Sequence, residues 1–230
     1  MRNTVRAAVM VLAISVAGQG LAGPFEDAEA TYDRQDYATA MPRIQSLAEQ
    51  GNARAQFSLG VMYGFGKGVL KDDVLAVKWY RLAADQGNAV AQSNLGIMYI
   101  NGLGVPKDDV LAVKWFRLAA DQGNAGAQSN LGDMYKNGRG VPKDDVLAVK
   151  WYRLAADQGD ASAQFNLGHM YNNGQGVPKD DVLAYMWFNL AAAGGYTPAQ
   201  IGRDIMASRI TPNQIAAAQQ LSREWKPKAK

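Results

Sequence analysis

The sequence predicts an all-α fold, an α-solenoid of stacked helical hairpins, and three observations predict it. The nonapeptide KDDVLAVKW stands at 71–79, at 107–115 and at 143–151, and returns as KDDVLAYMW at 179–187. Trp79, Trp115, Trp151 and Trp187 are each 36 residues apart, as are Tyr63, Tyr99, Tyr135 and Tyr171, and Gly87, Gly123, Gly159 and Gly195. Within each period, two apolar patterns of helical spacing flank a break rich in Gly, with Pro in three of the four copies. A lone hairpin cannot bury its apolar face, so such units stack on one another.

In chain order, residues 1–22 read as a cleavable signal peptide. Arg2 and Arg6 precede the apolar run at 7–17, and Gly20, Leu21 and Ala22 offer a small-residue cleavage site. The run is too short to span a bilayer. Periplasmic or secreted localisation follows as an expectation, with no integral membrane segment after cleavage. Residues 23–51 form a degenerate first repeat, in which Ala40, Ala48 and Gly51 keep the spacing but Arg43 stands where Trp is due. Four tandem repeats then occupy 52–87, 88–123, 124–159 and 160–195.

The second repeat illustrates them all. Asn88 is a suitable N-cap for a first helix carrying Ala91, Leu95, Met98 and Tyr99 on one face. Gly102 supplies the left-handed residue that ends it, Gly104 helps turn the chain, and Val105-Pro106 cannot continue a helix. Asp108 or Asp109 caps the second helix, whose apolar face is expected to carry Leu111, Ala112, Trp115, Leu118 and Ala119 up to Gly123. Gly60, Gly96, Gly132 and Gly168 recur inside first helices at a cost of about 1 kcal/mol each relative to alanine. Close approach of the paired helix, with the repeat's indole beside the glycine, is the expected compensation.

Residues 196–230 read as C-terminal capping helices followed by a basic tail. Thr211, Pro212 and Gln214 make a strong helix start, and Ile215, Ala218, Leu221 and Trp225 share a face. In the fourth copy of the nonapeptide, Tyr185 and Met186 replace Val and Lys, so the C-terminal helix is expected to pack near them. The tail KPKAK (226–230) reads as a frayed, solvated basic tag.

Ala91, Leu95-Gly96, Tyr99, Gly102-x-Gly104-Val105, Asp108, Ala112, Trp115, Ala119-Ala120 and Gly123, with their counterparts in the other units, resemble the Sel-one-like repeat family, relatives of the tetratricopeptide repeat. The resemblance implies a right-handed superhelix whose first helices line a concave face, and adaptor roles in protein complexes. Some cysteine-rich relatives carry disulfides and are linked to penicillin binding. This chain has no cysteine.

Composition narrows the function classes. Without residues 1–22, 22 basic and 21 acidic side chains remain, a net charge of +1. That leaves no electrostatic footprint for nucleic acid. The absence of cysteine excludes a disulfide scaffold and a thiolate metal site. The Gly-x-Gly segments follow helices rather than strands, so they are no nucleotide fingerprint. The paired acids sit at helix starts without the alternating oxygens of a calcium loop. His169 is the only histidine and lacks companion ligands for zinc. The motifs of penicillin-recognising enzymes are missing. No enzyme and no cofactor is therefore expected.

Columns that differ between repeats are where one unit can do what its neighbours do not. In the first helices these columns share a single helical stripe. Phe57, Val61, Val90, Ile97 and Ile100 make its early part apolar, while Asp133, Lys136, Phe165 and His169 make its later part mixed. An apolar patch with a polar border marks a recognition surface for a protein or peptide partner. The alternatives are a binder or weak hydrolase of cell-wall-derived or β-lactam ligands, and a structural spacer. Oligomeric state is not legible; a monomer is the default.

Overall fold

The computed structural model describes residues 23–228. Among them the secondary structure is entirely helical, the fold class of an all-α solenoid. The chain forms two compact units, one ending at Ala119 and the other beginning at Ala120.

The first unit contains α1 (Pro24–Asp33), α2 (Tyr37–Glu49), α3 (Ala53–Phe65), α4 (Asp73–Asp85), α5 (Ala89–Asn101) and most of α6 (Asp109–Asp121). The second contains α7 (Ala125–Asn137), α8 (Asp145–Asp157), α9 (Ala161–Asn173), α10 (Asp181–Ala193), α11 (Thr197–Ala207) and α12 (Pro212–Glu224). In both units consecutive helices pair as antiparallel hairpins, α3 with α4, α7 with α8 and α9 with α10.

Local chemistry sets the helix ends. Asn52, Asn88, Asn124 and Asp160 cap first helices by accepting from the backbone N–H three residues on. Of each paired acid, the first does the capping: Asp72, Asp108, Asp144 and Asp180 accept from Leu75, Leu111, Leu147 and Leu183. Their side chains satisfy a donor the helix itself leaves open. First helices end at Gly66, Gly102, Gly138 and Gly174, whose φ of +63° to +67° only glycine adopts without strain. At Gly104 the demand is also steric, because a Cβ would lie 2.2 Å from the Asp73 carbonyl oxygen.

Packing departs from expectation at the helical glycines. The ring beside each is that of the residue following the tryptophan. A Cβ on Gly60 would lie 2.5 Å from the Tyr80 ring, on Gly96 2.5 Å from Phe116, on Gly132 2.6 Å from Tyr152 and on Gly168 2.6 Å from Phe188. The indoles serve another contact. Arg81 lies 5.3 Å from the Trp115 ring centroid and hydrogen-bonds Tyr99, and Arg153 lies 4.9 Å from that of Trp187 and hydrogen-bonds Tyr171. Each guanidinium thus ties one second helix to the following hairpin, combining cation–π attraction with a hydrogen bond. Leu118, expected on the buried face of α6, is 41% exposed, while Phe116 is fully buried. A second helix packs on more than one side, so its buried arc is wider than a single stripe.

Each unit carries two buried glutamines at the same repeat position. Gln56, Gln92, Gln128 and Gln164 are buried, and each donates to the carbonyl of the alanine eight residues earlier. These carbonyls belong to the last turn of the preceding helix, where no intrahelical donor remains. Gln86 and Gln158 in turn donate to the Gln56 and Gln128 side chains at 2.7 Å.

At the N-terminal end, α1 and α2 make a hairpin around Phe25, Ala28, Ala40, Ile44 and Ala48, against which Trp79 also packs. At the C-terminal end, α12 packs against α10. Gln219 reaches the Tyr185 hydroxyl and Ser222 the Met186 carbonyl, both at 3.5 Å, and Trp225 stacks edge-on with Trp187. Tyr185 and Met186 are buried, whereas Lys78, Lys114 and Lys150 at the register of Met186 are exposed. The tail is no frayed tag as far as Lys228. Its main-chain N–H donates to the Asp157 carbonyl at 2.7 Å and its ammonium meets the Asp157 carboxylate at 2.6 Å. Residues 1–22, read as a signal peptide, lie outside the described residues, as do 229 and 230.

Candidate partner-binding face

In the first unit, α3 presents Phe57 and Val61, and α5 presents Val90, Ile97 and Ile100. Phe57 is half-buried against the Tyr80 ring, 5.9 Å between centroids. Val61 is 5% exposed, which places it beneath the surface. Val90 is exposed and Ile97 and Ile100 are half-buried. Arg54, a turn earlier on the same stripe, is committed elsewhere. It pairs with Glu26 and Glu29 at 2.7 Å and stacks on Phe25, tying α3 to α1.

In the second unit the structure brings Asp133, Lys136, Phe165 and His169 together. Asp133 Oδ1 accepts from the Tyr152 hydroxyl at 2.5 Å and from Asn166 Nδ2 at 3.3 Å, joining α7, α8 and α9. Burial raises the proton affinity of this carboxyl above its ordinary range, opposed by the Tyr152 hydrogen bond and the Lys136 charge. Asp160, the cap of α9, is shifted the same way by burial. Lys136 is half-exposed and forms no ion pair among the described residues.

His169 sits edge-on between Phe165 at 4.5 Å and Phe188 at 5.1 Å. Burial, then the Lys136 charge, pushes its proton affinity down, so the neutral imidazole is favoured. Phe165 also stacks on Phe188 and, at 5.0 Å, on Tyr196, completing an aromatic cluster over α9, α10 and the turn before α11. Among the described residues no group of three or more acids and histidines is placed to hold a metal ion.

Tyr152, Asn166, Phe188 and Tyr196 were not among the expected site residues. Tyr152 and Phe188 share a column that reads Tyr80, Phe116, Tyr152, Phe188, and this alternation carries the signal. Tyr152 has an acid to serve, while Val61 occupies the place of Asp133 relative to Tyr80. Asn94, the counterpart of Asn166, is buried and faces the Tyr80 side chain instead of an acid.

A pH dependence follows. Because the native Asp133 holds its proton more tightly than the ordinary 3.8, its contribution to stability is greatest at low pH. That contribution falls as pH rises from 3.8 through the native value. His169 acts oppositely, losing stability as pH falls from 6.5 through its lowered native value. Asp133→Asn keeps an acceptor for Tyr152 and removes the buried charge. The variant should be more stable than the parent at pH 7, with the gap closing towards pH 4, in urea midpoints measured at both. A gap independent of pH would contradict the assignment.

The Sel1 repeat family model matches residues 53–88, 89–124, 125–160 and 161–196. Among solved structures, the chain is similar to a protective antigen of uropathogenic Escherichia coli strains displaying an SLR fold. The identity is 36% and the TM-score 0.81, over 89% of this chain and 45% of that one, so this chain spans less than half of its length. A Sel1 repeat protein from Oxalobacter formigenes is 34% identical with a TM-score of 0.73, over 84% of both chains. An immunity protein from Pseudomonas aeruginosa shares the fold at 19% identity and a TM-score of 0.52, over 86% of this chain and 83% of that one. No curated protein gives a significant match.

Proposed function

The chain belongs to the Sel1 repeat family, and from that premise we propose that it is an exported, non-enzymatic adaptor that binds a protein or peptide partner along the stripe of its first helices. Sel1 repeat proteins generally mediate protein–protein interaction. The observation that carries the reading is the second unit's face. There a half-exposed lysine without an ion pair and an aromatic cluster occupy columns that vary between otherwise near-identical repeats. In the first unit, Phe57, Val90, Ile97 and Ile100 supply apolar contact area, with Val61 supporting them from below. Such a preformed surface binds with little ordering cost, apolar anchors contributing affinity and polar groups register. The signal-peptide-like pattern of residues 1–22, two arginines before an apolar run, is the sequence feature that favours a periplasmic or secreted location.

The test compares the parent with Ile97→Asp/Lys136→Glu, both expressed in the native host and cross-linked in the envelope, with captured proteins identified by mass spectrometry. The expected result is a partner enriched by the parent and lost by a variant whose circular dichroism is unchanged. Equal capture by both would remove the stripe from the binding reading.

A further inference from the structure

The stripe does not stop at the fourth repeat. Advancing Phe165 and His169 by the 36-residue period reaches Ile201 and Ile205, on α11. The register holds in three dimensions. Asn166 of α9 faces the Tyr152 side of α8 through Asp133, and its counterpart Gly202 faces the Phe188 ring of α10, where a Cβ would lie 3.0 Å away. Ile201 and Ile205 are 64% and 45% exposed. Tyr196, just before α11, is joined to Phe165, so the isoleucines continue an apolar strip that begins on α9.

At the other end of this strip the acids are held by hydrogen bonds while the lysine ammonium is left without a direct carboxylate contact among the described residues. The Asp133 carboxylate already accepts from Tyr152 and Asn166, Asp160 is held by the backbone of α9, and Arg203 is paired with Asp204 at 2.9 Å. Lys136, half-exposed, forms no ion pair among the described residues, and its charge acts at longer range on the Asp133 carboxyl and on His169. We propose that Lys136, Phe165, His169, Tyr196, Ile201 and Ile205 form one docking face for a partner segment in which aliphatic or aromatic side chains lie next to a carboxylate. The aromatic cluster and the two isoleucines take the apolar side chains, and Lys136 takes the carboxylate. This rests on the reading of the stripe as a binding face and adds the chemistry of its partner and the contribution of α11.

Selection of a random peptide display library on the purified protein tests it, followed by fluorescence anisotropy on the most enriched peptide and its Glu/Asp→Gln and Glu/Asp→Lys versions. The expected result is enrichment of peptides pairing an acid with aromatic or aliphatic residues. Lys136→Glu should then weaken the acidic peptide by about tenfold or more and favour its lysine version, as reversal of a facing charge requires. Ile201→Asp/Ile205→Asp, at exposed positions that leave folding intact by circular dichroism, should abolish binding. Enriched peptides without acids, or affinities indifferent to both variants, would overturn the inference. If such peptides were nonetheless released by Ile97→Asp, the broader reading of the stripe would survive. A library yielding no binder would count against both.

Discussion

Phe188→Ala should destabilise the second unit by about 3–5 kcal/mol, the range for truncating a fully enclosed phenylalanine. The ring is 2% exposed and is clasped from two sides by glycines, Gly168 of α9 and Gly202 of α11. It also contacts the rings of Phe165 and His169. Helices held this closely on both sides cannot collapse far into the vacated space, so the cavity term stays large. Because neighbouring hairpins in a repeat array share most of their stability through their interfaces, the loss should be local. Hydrogen exchange should show lost protection in α9, α10 and α11 with α3 and α4 little changed. Uniform loss along the chain, or a change below about 1 kcal/mol, would contradict this account of the ring.

Met186→Lys should release α12. The substitution restores the residue that the other three repeats carry, yet there the lysine is exposed, and at Met186 the position is buried under the C-terminal helix. Loss of a buried methionine costs about 2–5 kcal/mol, and a lysine recovers part of that only if its stem lets the ammonium reach water. Limited trypsin digestion should therefore cut at Arg209 and Arg223 sooner than in the parent, with the thermal midpoint lowered. Lys114→Met at the equivalent exposed register should change neither. An unaltered digestion pattern for Met186→Lys would mean that α12 is not held through this contact.

The two variants separate what could be read in advance from what could not. The break in the fourth nonapeptide was legible as a surface turned apolar, because a lysine column ends where a new helix begins. The glycine column is legible as close packing, but the ring it meets is that of the residue after the tryptophan and not the indole. Trp187 and Phe188 are adjacent and both buried, so helical spacing cannot choose between them when more than one side of a helix is covered. Likewise the stripe located Asp133 and His169. It could not show that the first binds Tyr152 and Asn166 while the second is wedged between phenylalanines. The docking of the basic tail is illegible in the sequence for a related reason. Its anchor, Asp157, lies 71 residues away in the chain.

By itself, then, the sequence determined the repeat length, the hairpins, the cap at Asn88, a cap at one of the paired acids Asp108 and Asp109, and the left-handed glycines. Each of these settles backbone hydrogen bonding or conformation within a few residues, which local chemistry decides. The tertiary structure alone decided which ring fills each glycine's space, which of the paired acids caps, which acid is held inside, where Lys228 docks, and that Ile201 and Ile205 are exposed. Those outcomes depend on how near separate helices come and at what rotation, and burial and electrostatics respond to that distance rather than to separation along the chain.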